Sequence, residues 1–126
     1  MKNLIRVLVI CFSGFACAIL NGCNSSITSA TVVGVYQTRV NYGVGVLTLN
    51  PNGKYSQTFT YSSGKKVTNS GKWSFMAPNS ISLDNADTID ASGLGRSNWG
   101  LQVDSLGGKK WIEYDPDQSG IYNKIK

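Results

Sequence analysis

Histidine and cysteine carry much of the chemistry that proteins perform near neutral pH. This sequence has no histidine and only three cysteines, at positions 11, 17 and 23. Everything beyond Cys23 therefore lacks a Ser-His-Asp or Cys-His arrangement, a thiolate nucleophile and the usual zinc or copper ligands. Carboxylates and amines remain. Glu113 is the single glutamate, beside aspartates at 84, 87, 90, 104, 115 and 117. A pair of carboxylates for glycoside hydrolysis would have to combine Glu113 with Asp104 or Asp115. Ser62-x-x-Lys65 and Ser63-x-x-Lys66 have the spacing of a Ser-Lys pair, but they fall in a predicted turn where lysine is solvated and nothing lowers its pKa. Asp115-Pro-Asp117-Gln-Ser119-Gly120 reproduces the first half of a calcium loop, with oxygen ligands and the turn glycine. Its twelfth position is Lys126 where the bidentate glutamate belongs, so a Pro-Asp turn is the better reading. Asp84, Asp87 and Asp90, three residues apart, read as a solvated connection. No catalytic residue, metal ligand or cofactor is assigned, and no binding residue is identified.

The cysteines lie where a different chemistry operates. Lys2 and Arg6 precede an apolar run from Val7 to Leu20, the charged and hydrophobic regions of a secretory signal. The run is 14 residues long. A spanning helix needs about 20 apolar residues, so the segment is expected to be cleaved. Leu20-Asn21-Gly22-Cys23 resembles the lipobox of bacterial lipoproteins, with Leu at −3, Gly at −1 and Cys at +1. The resemblance implies that Cys23 takes diacylglycerol through a thioether and becomes the first residue of the mature chain, held by palmitate-type acyl chains. Cys17 is a poorer acceptor, since Gly14 stands at −3 and the site lies inside the apolar run. Two or more acyl chains anchor stably where one does not. Asn24 after the lipidated cysteine, in place of the aspartate that favours inner-membrane retention in enteric bacteria, implies by default the outer membrane, facing the periplasm, with the inner membrane or a Gram-positive cell membrane as the alternatives.

The organisation expected is a signal peptide over 1–22, a lipidated cysteine and flexible tether over 23–30, and one β domain over 31–126. That domain has no cysteine, so packing and the backbone ladder alone must stabilise it. With one glutamate, and 12 of the 14 glycines after Cys23, its composition disfavours helix. Runs rich in Val, Thr, Tyr, Ile and Trp alternate with turn residues and predict strands near 32–40, 44–50, 54–61, 67–75, 79–84, 97–105, 109–114 and 120–125. Eight strands without a helix make a small antiparallel up-and-down barrel or sandwich. One hairpin is especially legible. Leu47 and Leu49 alternate with polar neighbours, Asn50-Pro51-Asn52-Gly53 turns the chain, and Tyr55, Gln57, Phe59 and Tyr61 share the expected inward face. Gly71, Trp73 and Phe75 continue it.

Gly34-Val-Tyr36, Leu47-Thr-Leu-Asn-Pro-Asn-Gly-Lys-Tyr55, Gly71-Lys-Trp-Ser-Phe75 and Ile81-Ser-Leu83 resemble the first half of lipocalin-like domains in small bacterial lipoproteins. The resemblance spans residues 34–83 and implies an up-and-down barrel that binds or senses. Copper- and envelope-stress lipoproteins share the pattern but carry a Cys-x-x-Cys pair, which this chain lacks, so copper handling does not carry over.

Without Lys2 and Arg6 the mature chain has 10 basic and 7 acidic residues, a formal charge of +3. Lys65, Lys66, Lys72, Lys109 and Lys110 could favour an anionic envelope polymer or an acidic protein, although such lysines more often keep strand edges soluble. No basic run interleaved with aromatics points to nucleic acid. Two function classes follow. In one, the barrel is a non-catalytic binding or interaction module for an envelope protein or a small apolar ligand, an inhibitor or immunity protein being one form. In the other, it is an envelope hydrolase using Asp/Glu chemistry. With 11 aromatics in the mature chain, a barrel filled by its own side chains is expected.

Overall fold

The structure, a computed structural model, describes residues 26–88, 95–115 and 120–126. The expected signal peptide over 1–22, Cys23, Asp90 and Asp117 lie outside them. After a helical turn α1 (Ser29–Val32), the strands are β1 (Gly34–Val40), β2 (Gly43–Leu49), β3 (Lys54–Tyr61), β4 (Lys66–Met76), β5 (Ser80–Thr88), β6 (Gly95–Leu106), β7 (Lys109–Asp115) and β8 (Gly120–Lys124). Each pairs antiparallel with its sequence neighbour, and β8 returns to β1, which closes the sheet into an eight-stranded barrel. Among the described residues, no helix is long and apolar enough to cross a membrane.

Period-two alternation decides which side chains face inward. Along β2 burial alternates residue by residue, with Gly43, Gly45, Leu47 and Leu49 inside. Tyr55, Gln57 and Phe59 of β3 do the same opposite them. Gly43 is required by proximity: a Cβ there would stand 2.6 Å from the Phe59 ring. The core is one cluster that includes Tyr36, Leu47, Leu49, Tyr55, Trp73, Ile81, Leu83, Leu101, Val103 and Ile112, so side chains pack the barrel interior as the aromatic content predicts.

One end of the barrel is closed by α1, within the stretch read as the end of a flexible tether. Thr28 and Thr31 form a reciprocal capping box. Val32 is fully buried, its carbonyl accepts from the Tyr36 hydroxyl at 2.6 Å, and the Lys124 ammonium donates to the carbonyls of Thr31 and Val33. A single turn cannot hold itself in water, and these three groups fasten it. The α1 cap at Thr28 lies just before residue 31, the start expected for the β domain.

A second difference lies in β5. A strand over 79–84 is expected to end in a solvated Asp/Asn connection, yet β5 runs to Thr88 across a bulge between Leu83 and Ala86. Asn85 takes φ 52°, the left-handed conformation that asparagine tolerates better than most residues. Side-chain amides hold the bulge in place. Asn98 accepts from the Asn85 N–H at 3.0 Å, and Asn69 donates to the Asn85 carbonyl at 2.7 Å.

Candidate functional site

The structure separates the carboxylates into distinct environments. Asp87, expected in a solvated loop, is instead buried on β5, where Arg96 of β6 donates from Nε to its Oδ1 at 2.9 Å. Its backbone is clamped from inside the barrel: the Gln57 amide donates to the Asp87 carbonyl at 2.7 Å and accepts from its N–H at 3.0 Å. Asp84 also falls on β5, exposed. Asp104 and Glu113 lie on adjacent strands with Gln102 opposite Glu113 and Trp111 opposite Asp104, so the two carboxylates are diagonal neighbours on the outer face. The Gln102 amide donates to both Asp104 oxygens, at 3.3 and 3.2 Å. A shallow hollow of about 260 Å³ beside Glu113 is lined by Gln102 and Tyr114 but not by Asp104. Ser62, Ser63, Lys65 and Lys66 are all exposed in the β3–β4 turn, with Lys65 Nζ 5.9 Å above the Tyr61 ring. Among the described residues, no three of the metal-ligating types gather.

A concavity lies at the seam between the first and last strands. β1 pairs with β2 along all seven of its residues, but with β8 only at Tyr36–Lys124 and Gln37–Asn123, beside the hydrogen bonds linking Val35 to Ile125 and Lys126. Beyond Gln37 the two strands part. A cleft of about 350 Å³ opens between them, with Arg39, Asn123 and Gln37 at its polar walls and Val40, Ile121 and Ile125 as its apolar ones. At its inner side the Thr38 and Tyr114 hydroxyls hydrogen bond to each other at 3.0 Å.

Aromatic packing fixes the floor. The Tyr114 ring is tilted between Trp99 and Tyr122, with centroid distances of 5.8 and 5.2 Å. Gly120 makes this possible, because a Cβ there would come within 2.7 Å of the Tyr114 ring. The glycine read as part of a calcium-like turn therefore seats an aromatic side chain. Burial pushes the Tyr122 hydroxyl above the ordinary phenol range. Among the described residues it has no hydrogen-bond partner in acceptable geometry, the neighbouring Gln57 amide being committed to the Asp87 backbone.

Thr38, Arg39, Tyr114 and Asn123 carry no local sequence signal of a site. They meet because the barrel closes on itself, Thr38 and Tyr114 being 76 residues apart. Comparisons with protein-family models, curated proteins and solved structures give no significant match.

Proposed function

We propose that the chain is a lipoprotein anchored through Cys23 to a membrane, by default the outer membrane facing the periplasm, and that its barrel is a non-catalytic binding module of the cell envelope. The seam cleft is the observation that supports binding. Its volume falls at the lower end of the range for small-ligand sites, and it sets a few polar groups against apolar walls. Such a cleft suits a small, largely apolar ligand or one inserted side chain of an envelope protein, the latter being how an inhibitor or immunity protein would engage its target.

Binding is tested by recovering partners from intact envelopes with the parent chain and with Asn123→Trp, which fills the cleft from an exposed position. Loss of a stoichiometric partner from the folded variant supports the reading. Identical recovery from both proteins contradicts it. The anchor is tested separately. Cys23→Ser should leave an uncleaved or soluble precursor, whereas Cys11→Ser and Cys17→Ser change nothing; an unmodified mature N-terminus starting elsewhere, read by mass spectrometry, overturns the lipoprotein assignment.

The diagonal placement of Asp104 and Glu113 keeps a second reading in view, an envelope hydrolase with carboxylate chemistry. Asp104→Asn and Glu113→Gln decide it. Either substitution abolishing a measurable turnover in a folded protein would replace binding with catalysis.

A further inference from the structure

The lysines that the sequence groups together separate in space. Lys65 and Lys66 stand at the far end of the barrel, in and beside the β3–β4 turn, whereas Lys54, Lys72, Lys109, Lys110, Lys124 and Lys126 gather around the end closed by α1. Three carboxylates lie toward that end, Asp84, whose backbone carbonyl lies beside Gly71, Asp104 and its diagonal neighbour Glu113, and the lysines outnumber them. Two features make the concentration costly to the fold. Lys54 and Lys72 are direct cross-strand partners, both exposed, and like charges placed opposite each other destabilise a sheet. Lys110 lies close enough to Lys124 to help lower its pKa, second to burial. The same end carries the start of the described chain. Ser26 is bound to α1 through the Thr31 hydroxyl, and only two residues separate it from Cys23, a span of at most about 10 Å of chain.

From this we infer that the α1 end of the barrel is a docking face for an anionic phospholipid surface, which holds the domain upright on its membrane with the β3–β4 turn pointing away. The inference rests on the Cys23 anchor for its geometry, since a tether this short brings that end and no other against the bilayer. Its electrostatics stand apart from the anchor: each lysine near an anionic leaflet favours binding, and several together act as one polybasic patch. Exposed Lys54, Lys72, Lys109 and Lys126 supply the contact, while Lys124 is turned inward onto the α1 carbonyls.

The full chain is expressed and recovered from envelopes in detergent, and the mass of its Cys23 peptide decides the anchor alone. The same protein is incorporated into vesicles of phosphatidylcholine or of a phosphatidylglycerol-rich mixture and treated with an amine-acylating reagent read lysine by lysine. Lys54, Lys72 and Lys109 should react severalfold more slowly on the anionic vesicles, and recover in salt as screening shortens from about 10 Å at 0.1 M to about 3 Å at 1 M. Lys65 and Lys66 should react equally on both. Equal reactivity of every lysine on the two vesicles overturns the inference, as does protection by polyglutamate but not by phosphatidylglycerol, which would make the face a protein site.

Should Cys23 prove unmodified, co-sedimentation of the chain with the two vesicle types tests the face by itself. Sedimentation with anionic vesicles only, weakened about fivefold for each lysine removed in Lys54→Gln and Lys72→Gln, supports the face while the anchor falls. Sedimentation with neither overturns both. Both substitutions lie on the exposed surface and relieve a repulsion, so the variants remain folded, and thermal unfolding verifies this.

Discussion

Trp73 and Tyr122 show how differently two buried aromatics can serve one core. Trp73 is almost fully buried and donates from Nε1 to the Asn50 carbonyl at 2.8 Å, tying β4 to the turn before β3. Trp73→Ala should therefore cost about 3–5 kcal/mol, a large part of the stability of so small a domain; chemical denaturation measures it, and a variant as stable as the parent would contradict the packing. Tyr122 buries a hydroxyl that has no partner among the described residues. Its phenol, like those of Tyr36 and Tyr55, is pushed up chiefly by burial. Such groups hold their protons more tightly folded than unfolded. Their contribution is intact below the unfolded value near 10 and drains as pH rises beyond it, by up to about 1.4 kcal/mol per pH unit for each fully buried tyrosine. Lys124, lowered by burial and then by Lys110, opposes them as a single group. Unfolding curves from about pH 8 to 11 should show a steep alkaline loss, shallower in Tyr122→Phe, which at neutral pH should be no less stable than the parent. Stability level through that range would refute the argument.

β5 is the element where local composition and final structure part company. Its second half reads Asp-Asn-Ala-Asp-Thr, residues that strands avoid and turns favour. What makes it a strand is supplied from elsewhere: Gln57 from β3, Asn69 from β4 and Asn98 from β6 all bond its backbone through their side chains. Of these, only Gln57 was placed from sequence, on the inward face with Tyr55, Phe59 and Tyr61. The other strands were legible because alternation and turn chemistry are local, as in the hairpin from Leu47 to Tyr61. Replacing Gln57 with Leu removes both partners of the buried Asp87 peptide groups and should cost about 2–4 kcal/mol. Hydrogen exchange should show the loss concentrated at Ala86–Thr88, and uniform loss across the barrel would mean that the clamp does not hold this segment.

At the scale of the molecule, closure creates what no window of sequence contains. The lipobox-like stretch is readable because its four residues are contiguous, whereas the seam cleft exists only once β8 has travelled round to β1 and failed to pair along its whole length. The distribution of lysines is likewise invisible until strand ends are assigned to barrel ends. That closure also ties the end of the described chain to the start of β1: the Val35 N–H donates to the Lys126 carbonyl at 3.0 Å, and the Ile125 N–H donates back to the Val35 carbonyl at 2.8 Å. In the orientation proposed above, anything fused after Lys126 would be wedged between barrel and bilayer, so a reporter placed there would perturb the protein it was meant to follow. A circular permutant joined across Lys126 and Ser26, with new ends cut in the β3–β4 turn and the lipidation motif moved to that cut, would keep every strand neighbour and stand the barrel on its head. Comparing it with the parent would separate what the protein owes to its fold from what it owes to the direction it faces.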